Sequence, residues 1–306
     1  MKIAVVGSYG VGLTMRVARM PEAGETLSGA QFDSGPGGKG SNQAIGAARL
    51  GAEVNLLTAV GDDDYGRAAF ELWAQEKVGS SHVVVSTEAA TMVGFILVEP
   101  SGENRIAIAP GALDTLDAQA VATFRDAIAA ADVLVVSMEI PLPAVVAALR
   151  LGRETGTRTL LNPAPAQPLP DEAWPLIDVI TPNQSEAPVL LGLDPDHGHD
   201  DEDLVRLLAG RTAGSVVLTR GGAGALLFDD GTLTTVAPVR VENVVDTTGA
   251  GDSFTAALAV RLAEGASLAD AAETAARAGA HTVTTAGVIP ALPTRTDLDD
   301  EIGATQ

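Results

Sequence analysis

Short continuous runs of Val, Ile and Leu alternate along most of the chain with segments whose apolar residues recur every three or four positions. The runs Ile3–Val6, Val54–Val60, Val133–Met138, Thr159–Asn162, Val179–Thr181 and Val216–Thr219 read as strands. They lack the apolar–polar alternation of a half-exposed sheet, so they predict parallel strands covered on both faces. Between them, Gly40–Leu50, Tyr65–Gln75, Ala118–Ala130, Leu142–Thr155 and Asp201–Ala209 carry the helical period. This alternation predicts an α/β fold, a doubly wound, mostly parallel sheet with helices on both faces. Ligand sites in such a sheet lie beyond the carboxyl ends of the strands.

Two stretches break the alternation. Leu13–Phe32 has no helical period, and Met92–Val98 with Arg105–Ala109 reads as a hairpin around the turn Glu99–Asn104. Together they predict a small antiparallel β-sheet, a lid built from approximately 10–34 and 90–111. No Gly/Ser linker, low-complexity tract or solenoid repeat divides the chain, so one domain over 1–306 with the lid inside it is expected.

Composition narrows the function. With 46% hydrophobic and 19% charged residues the 306-residue chain is globular and large enough for a substantial core. Forty acidic against 19 basic residues give a formal charge of −21, which repels nucleic acid and anionic lipid and argues against both as partners. No apolar run approaches the roughly 20 residues that span a bilayer. The start MKIAVVGSYG reads as a first strand and not as a signal peptide, so a cytoplasmic location is expected. The absence of cysteine excludes disulfides, Cys-bound zinc and a thiol nucleophile. The acidic run Asp194–Asp203 lacks the glycine and spacing of a calcium loop and reads as a solvated turn that caps the next helix.

Glycine-rich segments carry the chemistry. In Asp246–Phe254, DTTGAGDSF, Gly249 and Gly251 strip side chains from the chain just before a helical pattern begins. The N–H groups of Gly249, Ala250 and Gly251 could converge there on an anion. Asp252 beside them suits a base that takes a proton from a neutral nucleophile, the pairing that phosphoryl transfer from ATP to an alcohol requires. By itself, an Asp before a helix is as readily an N-cap. Ser34–Asn42, SGPGGKGSN, contains a formal G-x-G-x-x-G at Gly35, Gly37 and Gly40, but no buried strand precedes it as a dinucleotide site demands. Bare backbone with Lys39 and Asn42, three apart on a helix start, better suits a ligand rich in hydroxyls. Asn183 and Glu186 share the same spacing after a strand, which fits either a water-mediated hold on Mg²⁺ and phosphate or a capping box. Thr219–Gly224, with Gly221 inside it, fits a nucleotide-phosphate turn or a plain hairpin into Ala225–Phe228.

These pieces, in this order, resemble the ribokinase-like (PfkB) family of sugar and nucleoside kinases over nearly the whole chain. Gly37-Gly-Lys-Gly-Ser-Asn-Gln-Ala44 is similar to the family's N-terminal signature, and Asp246-Thr-Thr-Gly-Ala-Gly-Asp252 to its C-terminal one. Asn162-Pro-Ala-Pro165 and Thr181-Pro-Asn-Gln-Ser-Glu186 add to the likeness. The resemblance implies an ATP- and Mg²⁺-dependent carbohydrate kinase with Asp252 as catalytic base and Gly249, Ala250 and Gly251 as anion hole. It implies sugar contacts from Gly38, Lys39, Asn42 and Glu139, and a Mg–phosphate network at Asn183 and Glu186. The nucleotide would lie along Thr219 to Gly224. A monovalent-cation (K⁺) site would use Asp246 and Thr248, completed by carbonyls near Thr282, Thr285 and Gly287, and the lid would serve a homodimer.

One departure stands out. Ribokinases usually carry an Asn and an Asp after the first strand that bind sugar hydroxyls, and this chain has Gly10 and Gly12 there. Each charge-assisted bond lost is worth about 1.5–3 kcal/mol. The expectation is a roomier, less polar acceptor site in which ribose is secondary. A nucleoside acceptor would need an apolar or aromatic surface, for which Tyr9 and Phe95 are the candidates among only 3% aromatics. A phosphosugar would need basic residues such as Arg16 and Arg105. A sugar-binding regulator of the same fold would need no base at the position of Asp252.

Overall fold

The computed structural model describes residues 1–101 and 103–303; Gly102, inside the expected turn, and the final three positions of the expected domain lie outside the described residues. The strands in chain order are β1 (Lys2–Val6), β2 (Gly10–Arg16), β3 (Gln31–Gly37), β4 (Glu53–Leu57), β5 (Ala59–Gly61), β6 (Val78–Gly79), β7 (Val84–Ser86), β8 (Met92–Val98), β9 (Asn104–Ala109), β10 (Val133–Ser137), β11 (Arg158–Asn162), β12 (Val179–Ile180), β13 (Ser215–Thr219), β14 (Ala225–Asp229) and β15 (Thr232–Val236). The helices are α1 (Lys39–Arg49), α2 (Asp64–Gln75), α3 (Ala118–Ala122), α4 (Arg125–Ala129), α5 (Leu142–Thr155), α6 (Glu186–Leu191), α7 (Asp201–Ala209), α8 (Ala250–Ala263), α9 (Leu268–Thr282), α10 (Val288–Ala291) and α11 (Arg295–Gly303).

The main sheet has nine strands in the order β15-β14-β13-β12-β11-β10-β1-β4-β6. Pairing is parallel from β13 to β6, and β14 and β15 add antiparallel at one edge. Strand side chains alternate between two cores. Ile3 and Val5 pack with residues of α1, α8 and α9, whereas Ala4 and Val6 pack with residues of α3, α5 and α7. A strand buried on both faces has no polar side to show, which is why these runs are continuously apolar.

Two expected elements divide. Val54–Val60 breaks at Thr58, where β4 ends and β5 leaves to pair with β7; Val84 N donates to the Thr58 carbonyl at 2.9 Å. The expected helix over Ala118–Ala130 is two short helices, with Phe124 buried between them and its N–H turned back to Val121 O at 2.9 Å. The second sheet runs β3-β2-β8-β9, with β2–β3 and β8–β9 antiparallel and β2–β8 parallel. Gly35 and Gly37 of the formal dinucleotide motif lie in β3, an exposed edge strand of this lid, and not in a first βα turn. Among the described residues no helix is long and apolar enough to cross a membrane.

Candidate active site

The loop after β1 and the start of α1 touch backbone to backbone. Gly38 enters the helix at φ +89°, and a Cβ there would lie 2.6 Å from Tyr9 Cα. A Cβ on Gly40 would lie 2.6 Å from Gly7 Cα, and Ser41 N donates to Ser8 O at 2.9 Å. Only glycine permits this approach, which seats the first turn of α1 over the carboxyl end of β1. Glu139, just past β10, accepts from Ser8 Oγ and, at 3.0 Å, from Lys39 N. Its carboxylate therefore ties the ends of β1 and β10 to the helix start.

Asp252 meets this cluster from α8. Gly249, at φ +84°, occupies the cap of that helix, and Asp252 is its third residue. An N-cap role is ruled out, because the Asp252 side chain bonds another helix. Asn42 Nδ2 donates to Oδ2 at 2.9 Å and Gln43 Nε2 to Oδ1 at 3.1 Å. Gln43 Nε2 also reaches Asn162 Oδ1, 3.3 Å away at the end of β11. Burial raises the proton affinity of Asp252 above the ordinary Asp range; Lys39, Asn42 and Gln43 oppose the shift and Glu139 adds to it. Burial pulls the Lys39 ammonium the other way, but Asp252, Glu139 and Glu186 outweigh it and hold the ammonium protonated above its usual range. Lys39 thus sits among three carboxylates that come from three elements. Asn42 Oδ1 and Gln43 Oε1 are buried with no partner among the described residues, the deficit that a hydroxyl-bearing ligand would satisfy.

The other expected residues fall around this centre. Gly251 is exposed, with nothing within 4 Å of the point where a Cβ would stand, while Ala250 N–H turns back to Thr247 O at 3.3 Å. The first-turn N–H of Gly251 has no carbonyl within the helix to bond. Asn183 and Glu186 form the capping box of α6: Asn183 Oδ1 accepts from Glu186 N at 2.9 Å, and Glu186 Oε2 accepts from Asn183 N at 2.8 Å. Burial raises the Glu186 carboxyl, against the Asn183 N–H and Lys39. Asn183 bridges to Thr219 at the end of β13. Thr219–Gly224 is a hairpin turn into β14, with Gly221 at φ +53° and Gly224 at φ +81°. Its place beside Asn183 puts it at the same end of the sheet.

Asp246 accepts from Thr248 N at 2.9 Å and from Gly287 N at 3.1 Å, bracing the loop before Gly249. Burial pushes its proton affinity up, but those bonds and Arg16 outweigh burial and hold the carboxyl below the usual range. Thr285 N turns to Thr282 O at 3.4 Å, and Thr282 Oγ1 is spent on Ala278 O. Only main-chain oxygen is on offer at Thr282. Sequence reasoning missed Gln43, Ser8 and the part played by Asn162. The signal was there for Gln43: Ser41, Asn42 and Gln43 are successive polar residues that α1 buries.

Comparison with known proteins agrees with the geometry. Residues 2–295 match the profile described as pfkB family carbohydrate kinase. A ribokinase of Haemophilus influenzae is 34% identical over 293 residues, 96% of this chain and 95% of its own length. The chain belongs to the pfkB carbohydrate kinase family. Among solved structures, the ribokinase from Thermotoga maritima superposes with a TM-score of 0.89 at 27% identity over 99% of both chains. Arabidopsis thaliana ribokinase, solved with ribose and ATP, gives 0.88 at 27% identity, covering 98% of this chain and 97% of its own.

Within this pfkB kinase, the lid shows what surrounds Gly10 and Gly12. A Cβ on Gly10 would meet Met92 O at 2.9 Å and Met92 Cβ at 3.0 Å, besides the Met92 thioether methyl. The space expected at Gly10 is therefore filled: the neighbouring strand supplies an apolar side chain where a polar one is absent. At Gly12 a Cβ would meet no clash, only ordinary contact with Ile96 Cδ1 at 3.7 Å and Gly35 O at 3.9 Å. Tyr9 is 1% exposed and packs edge-on against Trp73, so it is no platform for a base. Phe95 is 41% exposed on the lid.

Proposed function

We propose that this pfkB kinase transfers the γ-phosphoryl group of ATP to a hydroxyl of a pentose or related polyhydroxy acceptor, with Asp252 as the base. The observation that supports it is Asp252 itself, buried at the start of α8 and held on both oxygens by Asn42 and Gln43. Asp252 takes the acceptor proton as the hydroxyl oxygen bonds to the γ-phosphorus. The bond to the bridging oxygen breaks, and its electron pair leaves on ADP. The N–H groups at Gly249 and Gly251 face the charge that develops on the moving group. Lys39 offsets part of the negative charge of the three surrounding carboxylates, which alone would repel the phosphate groups of ATP.

Gly38, Lys39, Asn42 and Glu139 are assigned to acceptor hydroxyls, and Thr219 to Gly224 to the nucleotide. Among the described residues no three His, Asp or Glu side chains gather to hold a metal. That donor set suits an Mg²⁺ carried mainly by phosphate oxygens and water, with Asn183 and Glu186 touching its water shell. Bound there, the ion neutralises donor charge. Asp246, Thr248, Gly287 and the carbonyls near Thr282 and Thr285 offer one carboxylate amid main-chain oxygen, a set suited to K⁺. Replacing a large organic cation by K⁺ at fixed ionic strength should raise kcat, and a flat rate would remove that site. A cytoplasmic location and a lid-mediated homodimer complete the assignment.

A nucleoside acceptor is the second reading, favoured by the missing side chain at Gly12, where a Cβ would meet only ordinary contacts. A sugar-binding regulator is disfavoured because binding alone has no use for a buried base. An ADP-release screen over pentoses, hexoses, polyols and nucleosides decides among the three. Turnover with a free sugar supports the first, turnover with nucleosides alone supports the second, and no ADP release with any acceptor rejects both.

A further inference from the structure

Gln43 is 1% exposed, and its side-chain amide is spent on two acceptors at once, Asp252 Oδ1 at 3.1 Å and Asn162 Oδ1 at 3.3 Å. The orientation of that amide is decided by what stands at each end. A carboxylate accepts and cannot donate while it is ionised. At the far end Asn162 Nδ2 makes a long 3.5 Å contact with the Thr181 carbonyl, which also only accepts, so Asn162 presents its oxygen to Gln43. The chain Thr181–Asn162–Gln43–Asp252 therefore has one self-consistent polarity, in which Gln43 can only donate to the base. It links the ends of β11 and β12 to α8 through α1.

We infer that Gln43 is a positioning residue for Asp252: its polarity-locked amide holds the carboxylate ionised and aimed at the acceptor. For the proton to settle on Oδ1 and point at Gln43, the Gln43 amide would have to turn over. Its oxygen would then face Asn162 Oδ1, two acceptors with no hydrogen between them. Asn42 is under no such constraint, since among the described residues its amide nitrogen donates to Asp252 alone and not also to a second fixed acceptor. The charged groups facing Asp252 are Lys39 from α1 and Glu139 from the end of β10, with Glu186 acting on Lys39. Lys39 and Glu139 work in opposite directions on the carboxyl, Lys39 the more strongly, and the two amides act in the same direction as Lys39. This inference rests on Asp252 being the base, and it concerns what sets the pH range over which that base is available.

The test follows the Asp252 carboxyl directly by ¹³C NMR in full-length protein labelled at aspartate, the resonance being assigned by its loss in Asp252→Asn. In Gln43→Leu the titration midpoint should move above that of wild type, because a donor to the charged form has been removed. Asn162→Ala, which leaves Gln43 in place but unlocks it, should move the midpoint the same way by less. With D-ribose and ATP as probes, Gln43→Leu should lose about tenfold in kcat/KM on the acid limb, with the loss shrinking as pH rises. A midpoint unmoved in both variants, or a rate loss equal at every pH, overturns the inference. Should Gln43→Leu fail to fold, the Asn162→Ala titration alone decides. Full turnover by Asp252→Asn would instead reject Asp252 as the base, a failure of the proposed function that the titration does not share.

Discussion

An ionised carboxylate at 7% exposure has lost most of its hydration, and Asp252 recovers part of it from Asn42, Gln43 and Lys39. Recovery is incomplete, since burial leaves its proton affinity above the ordinary Asp range. Between the ordinary and the raised pKa the folded protein keeps a proton that the unfolded chain releases. This group therefore contributes stability at low pH that is lost as pH rises through that window. Asp252→Asn should accordingly raise the melting temperature at neutral pH while lowering turnover by about 10²–10⁴-fold, measured at saturating acceptor. A variant that melts lower and turns over within a factor of about two of wild type would contradict both halves. The two lid glycines separate in the same way. At Gly10, Met92 leaves no room, so Gly10→Asn should destabilise by about 1–3 kcal/mol in urea unfolding, and adding Met92→Gly should restore part of it. At Gly12 a Cβ would meet only ordinary contacts, so Gly12→Asp should be tolerated and should raise kcat/KM for ribose about tenfold by adding a charge-assisted bond to a hydroxyl. Unchanged or lower ribose efficiency in Gly12→Asp would remove Gly12 from the acceptor site.

The element that places the site is α1, and what seats it is the absence of side chains where it crosses the end of β1. A methyl group at Gly40 would fall 2.6 Å from Gly7 Cα, so helix and loop would have to part. Gly40→Ala should cost about 1–3 kcal/mol of stability. Because α1 also carries Asn42 and Gln43, kcat should fall by up to about 10²-fold through misplacement of Asp252's partners. Loss of stability with kcat intact would mean the site does not depend on this seat. Elements with an uninterrupted period were legible to the residue: α5, α7 and β8 have the bounds that their sequences predict. Periodicity failed where the chain changes partners without changing character. Val54–Val60 stays apolar through Thr58, yet β4 and β5 belong to different sheets. The site was legible where chemistry is local, as in the glycines before α8 and the Lys39–Asn42 face. It was illegible where contacts join remote segments: Gln43 and Asp252 lie 209 positions apart, and Met92 meets Gly10 only because β2 and β8 pair.

At the scale of the molecule, the lid poses the remaining problem, since its two faces are both partly apolar. Val11 and Leu13 turn one face toward the protein's own core, which contains Tyr9 and α1 residues. Register puts Ile108 opposite Gly94, and Gly94 opposite Gly12, which pairs with Gly35; Ile106 lies opposite Ile96 on the same face. That second face holds Ile106 at 57% and Ile108 at 53% exposure beside a row of three glycines with no side chains. Isoleucines next to bare backbone make a ridge and a trough, and a second copy turned about a two-fold axis would set each ridge in the other's trough. The assembly expected is thus a dimer of 31.0 kDa chains, read as twice that mass by light scattering. Ile106→Glu with Ile108→Glu should yield monomers and raise KM for the acceptor, because the partner's ridge would lie over Gly12. Phe32→Glu with Phe95→Glu, on the opposite face, should leave the dimer intact. Each chain carries −21, so the copies repel and added salt should tighten the dimer by screening that repulsion. A wild-type mass of one chain at every salt concentration would reject the dimer, and a dimer that survives the isoleucine changes would place its interface elsewhere.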